Sequence, residues 1–564
     1  MVESVSLKSL KSHLEMHRRK ANKVSLIGSI VFSGLFLSLT LETPAQEVSP
    51  PAKVTDAMLK RGEALYLKQC AACHGNKGLG DGMASYLLYP KPRDFSRVEF
   101  RLISTDNSVP SDQDLFRTIT RGMPGSAMPP WDRLSVDDRW ALVYYVKKLA
   151  YDGRLEQMLK KGIKRARAEK IAKKKLKAGS PIVLPKEPAV SIAHIARGRQ
   201  IYGETCAACH GADGRGQGKE ALMDSSGYPI SARDFTQGIF TGSPDGKDLA
   251  RRFLAGMPGT PMPVFKFKSD DDLWALVHYV QTYVNPGAQA KVEQSQRTMK
   301  ATKTAMTEKD MADPASPGWK KVKSTYVALM PLWWRDDRVE GVEVRAVHNG
   351  SKIALRLSWT DSSKDDHALS QTAFGDGVAV ELSRLADPPF FGMGAKKEEV
   401  NIWHWKSHWQ RDLTAHADVQ EVFPNMAVDL YQSLEKPPFG RHSKPAEFAA
   451  AAHLPLFLTG WGAGNLLSSP KRKSSAEDLT AQGFGTLATQ LNGGQNVQAN
   501  GGWTDEDKVW QVVFTRDLAV TDKKDMAFVP GEEVKIALAV WDGSARDRDG
   551  QKSVTIWHRL ILDK

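Results

Sequence analysis

Cysteine is nearly absent. The 564 residues include only four cysteines, and all four lie in two copies of one word, CAACHG, at 70–75 and 206–211. So thin a supply excludes a disulfide framework, which belongs to short secreted chains dense in cysteine. Long apolar runs are equally scarce. Only Val24–Leu39, VSLIGSIVFSGLFLSL, approaches the length of a membrane span, so the chain is not a multispanning protein. Dispersed positive charge is missing too. The net charge is +13, but residues 160–177 carry +9 and residues 1–23 carry +4, which leaves the rest neutral. The protein is therefore no basic globule, and a nucleic-acid partner is not expected.

The N-terminus reads as an address. Six Lys/Arg within residues 8–23 precede the apolar run, and Thr43-Pro44-Ala45 offers small residues for a cleavage site. This is the pattern of a secretory signal cut after Ala45. The run is long for a signal and short of the ~20 residues a span needs, so a retained membrane anchor is the alternative. Either outcome exports the remainder, to the periplasm, and leaves the basic end inside.

Around the two cysteine words the sequence repeats. Arg61–Gly75 matches Arg197–Gly211, and Pro92–Ser96 matches Ala232–Thr236. Arg121–Pro130 matches Ala255–Val264, and Asp137–Val146 matches Asp271–Val280. Four blocks in one order mean a duplicated module, a tandem pair rather than a solenoid. Leu142, Tyr145, Val146 and Leu149 recur at helical spacing, as do Leu276, Tyr279 and Val280. Each module is therefore expected to be helical, with an irregular Gly/Pro-rich GMPG segment between helices. The basic run between the modules reads most simply as a solvated connecting helix. Docking of an acidic redox partner is its functional reading.

C-x-x-C-H is the attachment word of a c-type haem. Two thiols about one turn apart reach the two vinyl groups on one porphyrin edge, and the following histidine faces the iron. Cys70 and Cys73 would carry one haem and Cys206 and Cys209 a second, with His74 and His210 as proximal iron ligands. A zinc site would want further ligands, and a redox dithiol would want a βαβ context; neither is present. A methionine opposite the histidine suits electron transfer. The candidates are Met123 or Met128 and Met257 or Met262. Here the chain resembles the single-domain cytochrome c family, over about 55–150 and 190–285. In that family the ligand methionine commonly lies in G-x-P-G-x-x-M-P, as in Gly122–Pro129 and Gly256–Pro263. The resemblance implies Met128 and Met262 as ligands, with Met123 and Met257 packing the loop.

Beyond about residue 300 the texture changes. Gly341–Asp361 alternates apolar and polar residues around Asn349-Gly350, a β-hairpin signal. Val509–Leu518, Glu533–Asp542 and Ser553–Leu562 alternate likewise. An all-β antiparallel sandwich is expected. From these residues alone it could bind a carbohydrate or a protein. The phrases Ala373–Leu382, Asp387–Gln410, Gly460–Ser468 and Leu479–Gln490 resemble the haem b-binding domain of ethylbenzene dehydrogenase and related γ subunits, over about 310–564. Relatives of that family serve dimethylsulfide dehydrogenase, chlorate and selenate reductases and nitrite oxidoreductase. The resemblance implies one non-covalent haem b held between Met and Lys. Met393 fits the methionine loop. Lys471, with Lys473 beside it, is the lysine expected after the GAGN phrase, and His404 and His408 are alternatives.

The expected organisation is a signal or anchor (1–45), a cytochrome c domain (52–152), a basic helical linker (153–188), a second cytochrome c domain (189–290) and the sandwich (310–564). The expected function is an exported electron-transfer protein with two haems c and one haem b, not catalytic alone. By resemblance it is the γ-like subunit relaying electrons between a molybdenum/iron–sulfur oxidoreductase and a soluble cytochrome or the respiratory chain. The alternatives are a dihaem cytochrome with a partner- or glycan-binding sandwich, and an oxidoreductase with an open haem site.

Overall fold

The computed structural model describes residues 49–218, 222–292, 295–414, 422 and 472–564, apart from 492 and 521. The apolar run at 24–39, Lys471 and the Gly460–Ser468 phrase lie outside these residues. Among the described residues no helix is long and apolar enough to cross a membrane.

Both repeated modules are helical, and they fold by the same local devices. In the first, helix Asp56–Gln69 is capped by Thr55 and helix Val136–Lys160 by Ser135. In the second, Ser191 caps Ile192–Thr205 and Ser269 caps Asp270–Gln281. These side chains satisfy amide donors that the helix start leaves unpaired. The paired helices cross at a glycine. A Cβ on Gly62 would lie 2.2 Å from the Ala141 carbonyl oxygen, and one on Gly198 would lie 1.9 Å from that of Ala275. Only glycine permits that approach. Arg61 then pairs with Asp138 at 2.5 Å and Arg197 with Asp272 at 2.8 Å across the same crossing. The predicted apolar faces are buried: Leu142, Tyr145, Val146 and Leu149 in one module, Leu276, Tyr279 and Val280 in the other.

The basic segment is more than a solvated rod. The long helix of the first module runs on to Lys160, and helix Arg165–Lys175 buries Ala168 and Ala172 completely while Lys173, Lys174 and Lys175 stay exposed. The chain then pairs with the first module (Ile182 N–H to Ser104 O, 2.8 Å) and accepts from the second (Trp274 Nε1 to Pro185 O, 3.2 Å). It ties the two modules together.

The C-terminal part is one 14-stranded sheet folded onto itself. In chain order the strands are β1 Thr298–Lys303, β2 Thr325–Ala328, β3 Met330–Pro331, β4 Gly341–His348, β5 Lys352–Thr360, β6 Gly377–Ser383 and β7 Val400–Lys406, followed by β8 Ala476–Ala481, β9 Ala488–Thr489, β10 Gln498–Thr504, β11 Val509–Asp517, β12 Glu533–Trp541, β13 Ser553–Val554 and β14 His558–Leu562. The main path is β10-β11-β5-β4-β1-β14-β12-β6-β7-β8-β9. Val342, Leu355 and Trp510 from one half share a core with Val380, Trp403, Trp405 and Ile536 from the other. Trp405 stands edge-on to Trp510 at 5.1 Å and to Trp359 at 6.2 Å, so the halves face each other as a sandwich. The expected hairpin is β4–β5, with Gly350 at φ 94° in its turn.

The expectation of a purely antiparallel sheet needs correction. β1 runs parallel to both neighbours, β14 and β4. Hairpin connections impose antiparallel pairing. β1 is instead reached from the second helical module, so no hairpin constrains its direction. The Ser553–Leu562 segment is likewise two short strands, β13 and β14, not one.

Candidate functional site

Each helical module encloses a cavity. The first is lined by Cys70, Cys73, His74, Met123, Met128 and Phe390, the last contributed by the sandwich. The second is lined by Cys206, Cys209, His210, Met257 and Met262, with Trp334 and Arg335 from the sandwich at its edge. With their mouths included they hold about 1240 and 2220 Å³.

The cysteines sit at the mouth of a single helical turn, Ala71–His74 and Ala207–His210, and none is disulfide-bonded. Burial pushes the Cys70 and Cys73 thiols up to about 12 and raises Cys206 as well. A redox dithiol or a zinc thiolate needs the opposite shift. Neutral thiols in an apolar wall suit thioether formation instead.

The histidines are oriented by the backbone. His74 Nδ1–H donates to the Arg93 carbonyl at 3.2 Å, and His210 Nδ1–H donates to that of Arg233 at 3.1 Å. A carbonyl only accepts, so Nδ1 carries the proton and Nε2 keeps its lone pair, the state a metal ligand requires. Phe95 stacks on His74 at 4.7 Å and Phe235 on His210 at 4.4 Å. Burial lowers His74 to about 4 and His210 in the same direction, so both rings stay neutral at pH 7.

Opposite lies the methionine loop. Met123 N–H donates to the Met128 carbonyl at 3.0 Å, and Met257 N–H to that of Met262 at 3.2 Å. Each closure puts both methionines of its pair on the cavity wall. The choice of Met128 and Met262 as ligands therefore rests on the resemblance and not on which residue reaches the cavity.

Sequence reasoning missed the cavities' cationic rim. Arg93 lines the first cavity, Arg233 and Arg252 the second, and Arg101 both. Burial lowers Arg101, Arg233 and Arg252 to about 10, so all remain charged at neutral pH. Arg93 Nη2 and Arg101 Nε are buried without a hydrogen-bond partner. Haem carries two carboxylates, and such orphaned donors are what they would satisfy. Thiols, free imidazole nitrogens, thioethers and cationic rims together fit a covalent haem in each cavity.

The sandwich presents its own constellation on the outer face of β6, β7 and β12. Met393 sits at φ 73°, a strained conformation for a long side chain. Its N–H donates to Glu381 at 3.1 Å and its carbonyl accepts from Gly483 at 2.6 Å. Trp557 Nε1 holds the same loop through the Pro389 carbonyl at 2.7 Å. His404 stacks on Trp541 at 4.5 Å, and Lys552 Nζ lies 4.6 Å from that ring's centroid. Lys552 faces Glu381, and burial lowers its ammonium while raising Glu381 to about 7. Small residues Ala379, Ala537 and Ala539 form the wall beneath, in the cluster that includes Met393. His408 is elsewhere, against Gly375 with its Nδ1 buried and unpartnered. Glu381 links the groups: it accepts from the Met393 N–H and faces Lys552, whose ammonium lies over the Trp541 ring that stacks on His404. Lys473 lies three residues before β8, and Lys471 lies outside the described residues. Lys552 follows Gly550 in a polar turn, and nothing in its sequence context marks it as half-buried.

Comparison with known proteins agrees with this division. Residues 57–146 match the family model "Cytochrome C oxidase, cbb3-type, subunit III", residues 195–283 match "Cytochrome c", and residues 316–553 match "Ethylbenzene dehydrogenase". A cytochrome c55X from Stutzerimonas stutzeri is 32% identical over 119 residues, covering 21% of this chain and 84% of that protein. The chlorate reductase subunit gamma of Ideonella dechloratans is 24% identical over 286 residues, covering 48% of this chain and 88% of that one. A chain of the Kuenenia stuttgartiensis reducing HAO-like protein complex is 35% identical, covering 42% of this chain and all of that one, with a TM-score of 0.36. With both helical modules matched by cytochrome c models, the chain belongs to the cytochrome c family, as a tandem of two such domains continued by an ethylbenzene dehydrogenase-type domain.

Proposed function

We propose that this chain is the electron-relay subunit of an exported oxidoreductase complex, with two haems c in the helical cavities and one haem b on the outer face of the sandwich. Bound haem supplies one-electron redox chemistry. The chain's own residues do the rest. Cys70, Cys73, Cys206 and Cys209 anchor, and His74 and His210 ligate through Nε2. Met128 and Met262 would be the methionine ligands of the two haems, which would leave no open site for a substrate. On the sandwich, Met393 is one ligand, and Lys552, which faces Glu381, is a second candidate for the lysine in addition to Lys471, which lies outside the described residues. A lysine ligand must be neutral, and desolvation of the half-buried Lys552 amine lowers its pKa in that direction against the opposing pull of Glu381.

One observation carries the order of the relay. Phe390, three residues before Met393, lines the first helical cavity, and Pro90 and Arg101 line both helical cavities. The Met393 loop thus reaches the first helical cavity and the two helical cavities share residues, which supports the order sandwich, first module, second module, while Trp334 and Arg335 also bring the sandwich to the edge of the second cavity. The partner at the sandwich end is a molybdenum/iron–sulfur oxidoreductase, a reading supported by the gamma subunit of chlorate reductase among the relatives. A soluble cytochrome or respiratory carrier meets the second module, and the exposed lysines near 173–175 steer it. Export is supported by the signal-like N-terminus and by the usual location of cytochrome c domains; whether the N-terminal run remains as an anchor is a separate question for N-terminal sequencing of the mature protein.

The order is tested by removing the middle site. In Cys70→Ala/Cys73→Ala protein, the haem b that the variant retains, reduced in a rapid-mixing experiment, should no longer pass its electron to the second module. Unimpaired transfer would overturn the order.

A further inference from the structure

The two helical sites are wired crosswise. Arg93 and Arg233 are matched residues of the repeated block (Pro92–Ser96, Ala232–Thr236), and each holds its own module's proximal histidine through its carbonyl. Their side chains also reach across to the other module, although Arg233 Nη2 donates within its own module to Thr241 Oγ1 at 3.0 Å and Arg93 lines the first cavity. Arg233 Nη2 donates to the Gly125 carbonyl at 3.2 Å, inside the methionine loop of the first module. A Cβ on Gly125 would come within 2.3 Å of that nitrogen. Arg93 repeats this in the other direction: its Nη1 would lie 2.4 Å from a Cβ on Gly259, in the methionine loop of the second module. Both glycines have positive φ, 76° in each case, which no side chain adopts easily. Each loop thus leaves a gap at its glycine, and the other module's arginine fills it.

We infer that Arg93 and Arg233 are positioning residues that couple the two c-type sites, so that the electron affinity of each depends on an arginine of the other module. The inference rests on the reading that both cavities hold haem c. Two physical effects act through the same residue. The backbone carbonyl fixes the proximal imidazole and its basicity. The guanidinium places a full positive charge, and for Arg233 a hydrogen bond, beside the distal loop of the neighbouring site. A cation near a redox centre favours the reduced form and raises its potential, and burial strengthens the effect. The contact is not isolated: Arg252 Nη1 donates to the Arg101 carbonyl at 3.2 Å, and Tyr89 Oη and Ser231 bond across the same seam.

The test is a potentiometric titration of the full haem-loaded chain, read site by site from paramagnetically shifted haem methyl resonances. Arg233→Gln should lower the midpoints of both c sites, while Arg199→Gln, which removes an equal charge from an exposed position, should move neither appreciably. Arg93→Gln should repeat the two-site shift. Arg233→Lys keeps the charge and loses the fork, so it should move both sites less than Arg233→Gln does; it also serves if the glutamine variant fails to mature. Shifts confined to the variant's own module, or equal shifts from Arg199→Gln, would overturn the coupling. Absence of haem c in the wild-type chain would instead overturn the underlying reading.

Discussion

The two cytochrome modules share their words but not their surroundings. The second has a core of its own: Tyr202, Phe253, Trp274 and Leu276 cluster with residues of that module and its flanks. The first has no such independence. Tyr66, Trp140 and Leu142 belong to one cluster with Ala379, Val400, Trp541 and Trp557 of the sandwich. Lys68 reinforces this seam by pairing with Asp387 at 2.7 Å. Duplication thus produced two similar sites, and packing gave them different positions. One is buried against the sandwich; the other is edged by the sandwich but folds on its own core.

The largest expected effect separates the modules outright. Cys206→Ala/Cys209→Ala should cut covalent haem from two to one per chain and leave haem b in place. Cys70→Ala/Cys73→Ala should make the same cut and also weaken haem b retention, because its cavity and the Met393 loop share one cluster. Equal haem b content in the two variants would break the comparison. Differential scanning calorimetry sharpens it. Leu142 and Leu276 are both essentially unexposed, so either alanine variant should cost about 2–5 kcal/mol. Leu142→Ala should lower a transition that includes the sandwich, and Leu276→Ala only the transition of the second module.

Smaller effects probe individual ligands. Met128→Ala should remove the Met-to-iron charge-transfer band of the first site, and Met123→Ala should preserve it; the reverse result would exchange their roles. Lys552→Ala should abolish the native haem b spectrum, whereas Lys471→Ala should leave it unchanged; the opposite outcome would give the role to Lys471.

A last effect lies in pH. His558, fully buried in β14, is held at about 3, chiefly by burial, and its Nδ1 accepts the Arg297 N–H at 3.0 Å. Its folded value is depressed below the ordinary 6.5, so the unfolded chain binds the proton first. Stability is full above about 6.5 and is lost as pH falls toward 3. Denaturant titrations across that window should show a slope that flattens in His558→Gln; an unchanged slope would assign it to other groups.

Much of this was legible in the sequence, for identifiable reasons. The haem words, the methionine loops and the helical faces are local patterns, and local patterns survive folding. The Asn349-Gly350 hairpin was legible for the same reason. The parallel placement of β1 was not, since only Met299 and Ala301 of its six residues are buried and no turn precedes it. The pairing of Lys552 with Glu381 was hidden because β6 brings Glu381 to it from far along the chain. The crosswise arginines were hidden in plain view. Their repeat was visible, but each one's partner is in the other copy, a relation that no comparison of the copies reveals.

The most direct test of the relay is a pyridine haemochrome count on the mature full-length chain, produced with c-haem maturation machinery and adequate haem. Two haems c and one haem b per chain are expected. Two haems c with no haem b would contradict the three-site relay and leave the sandwich as a docking domain for a dihaem cytochrome.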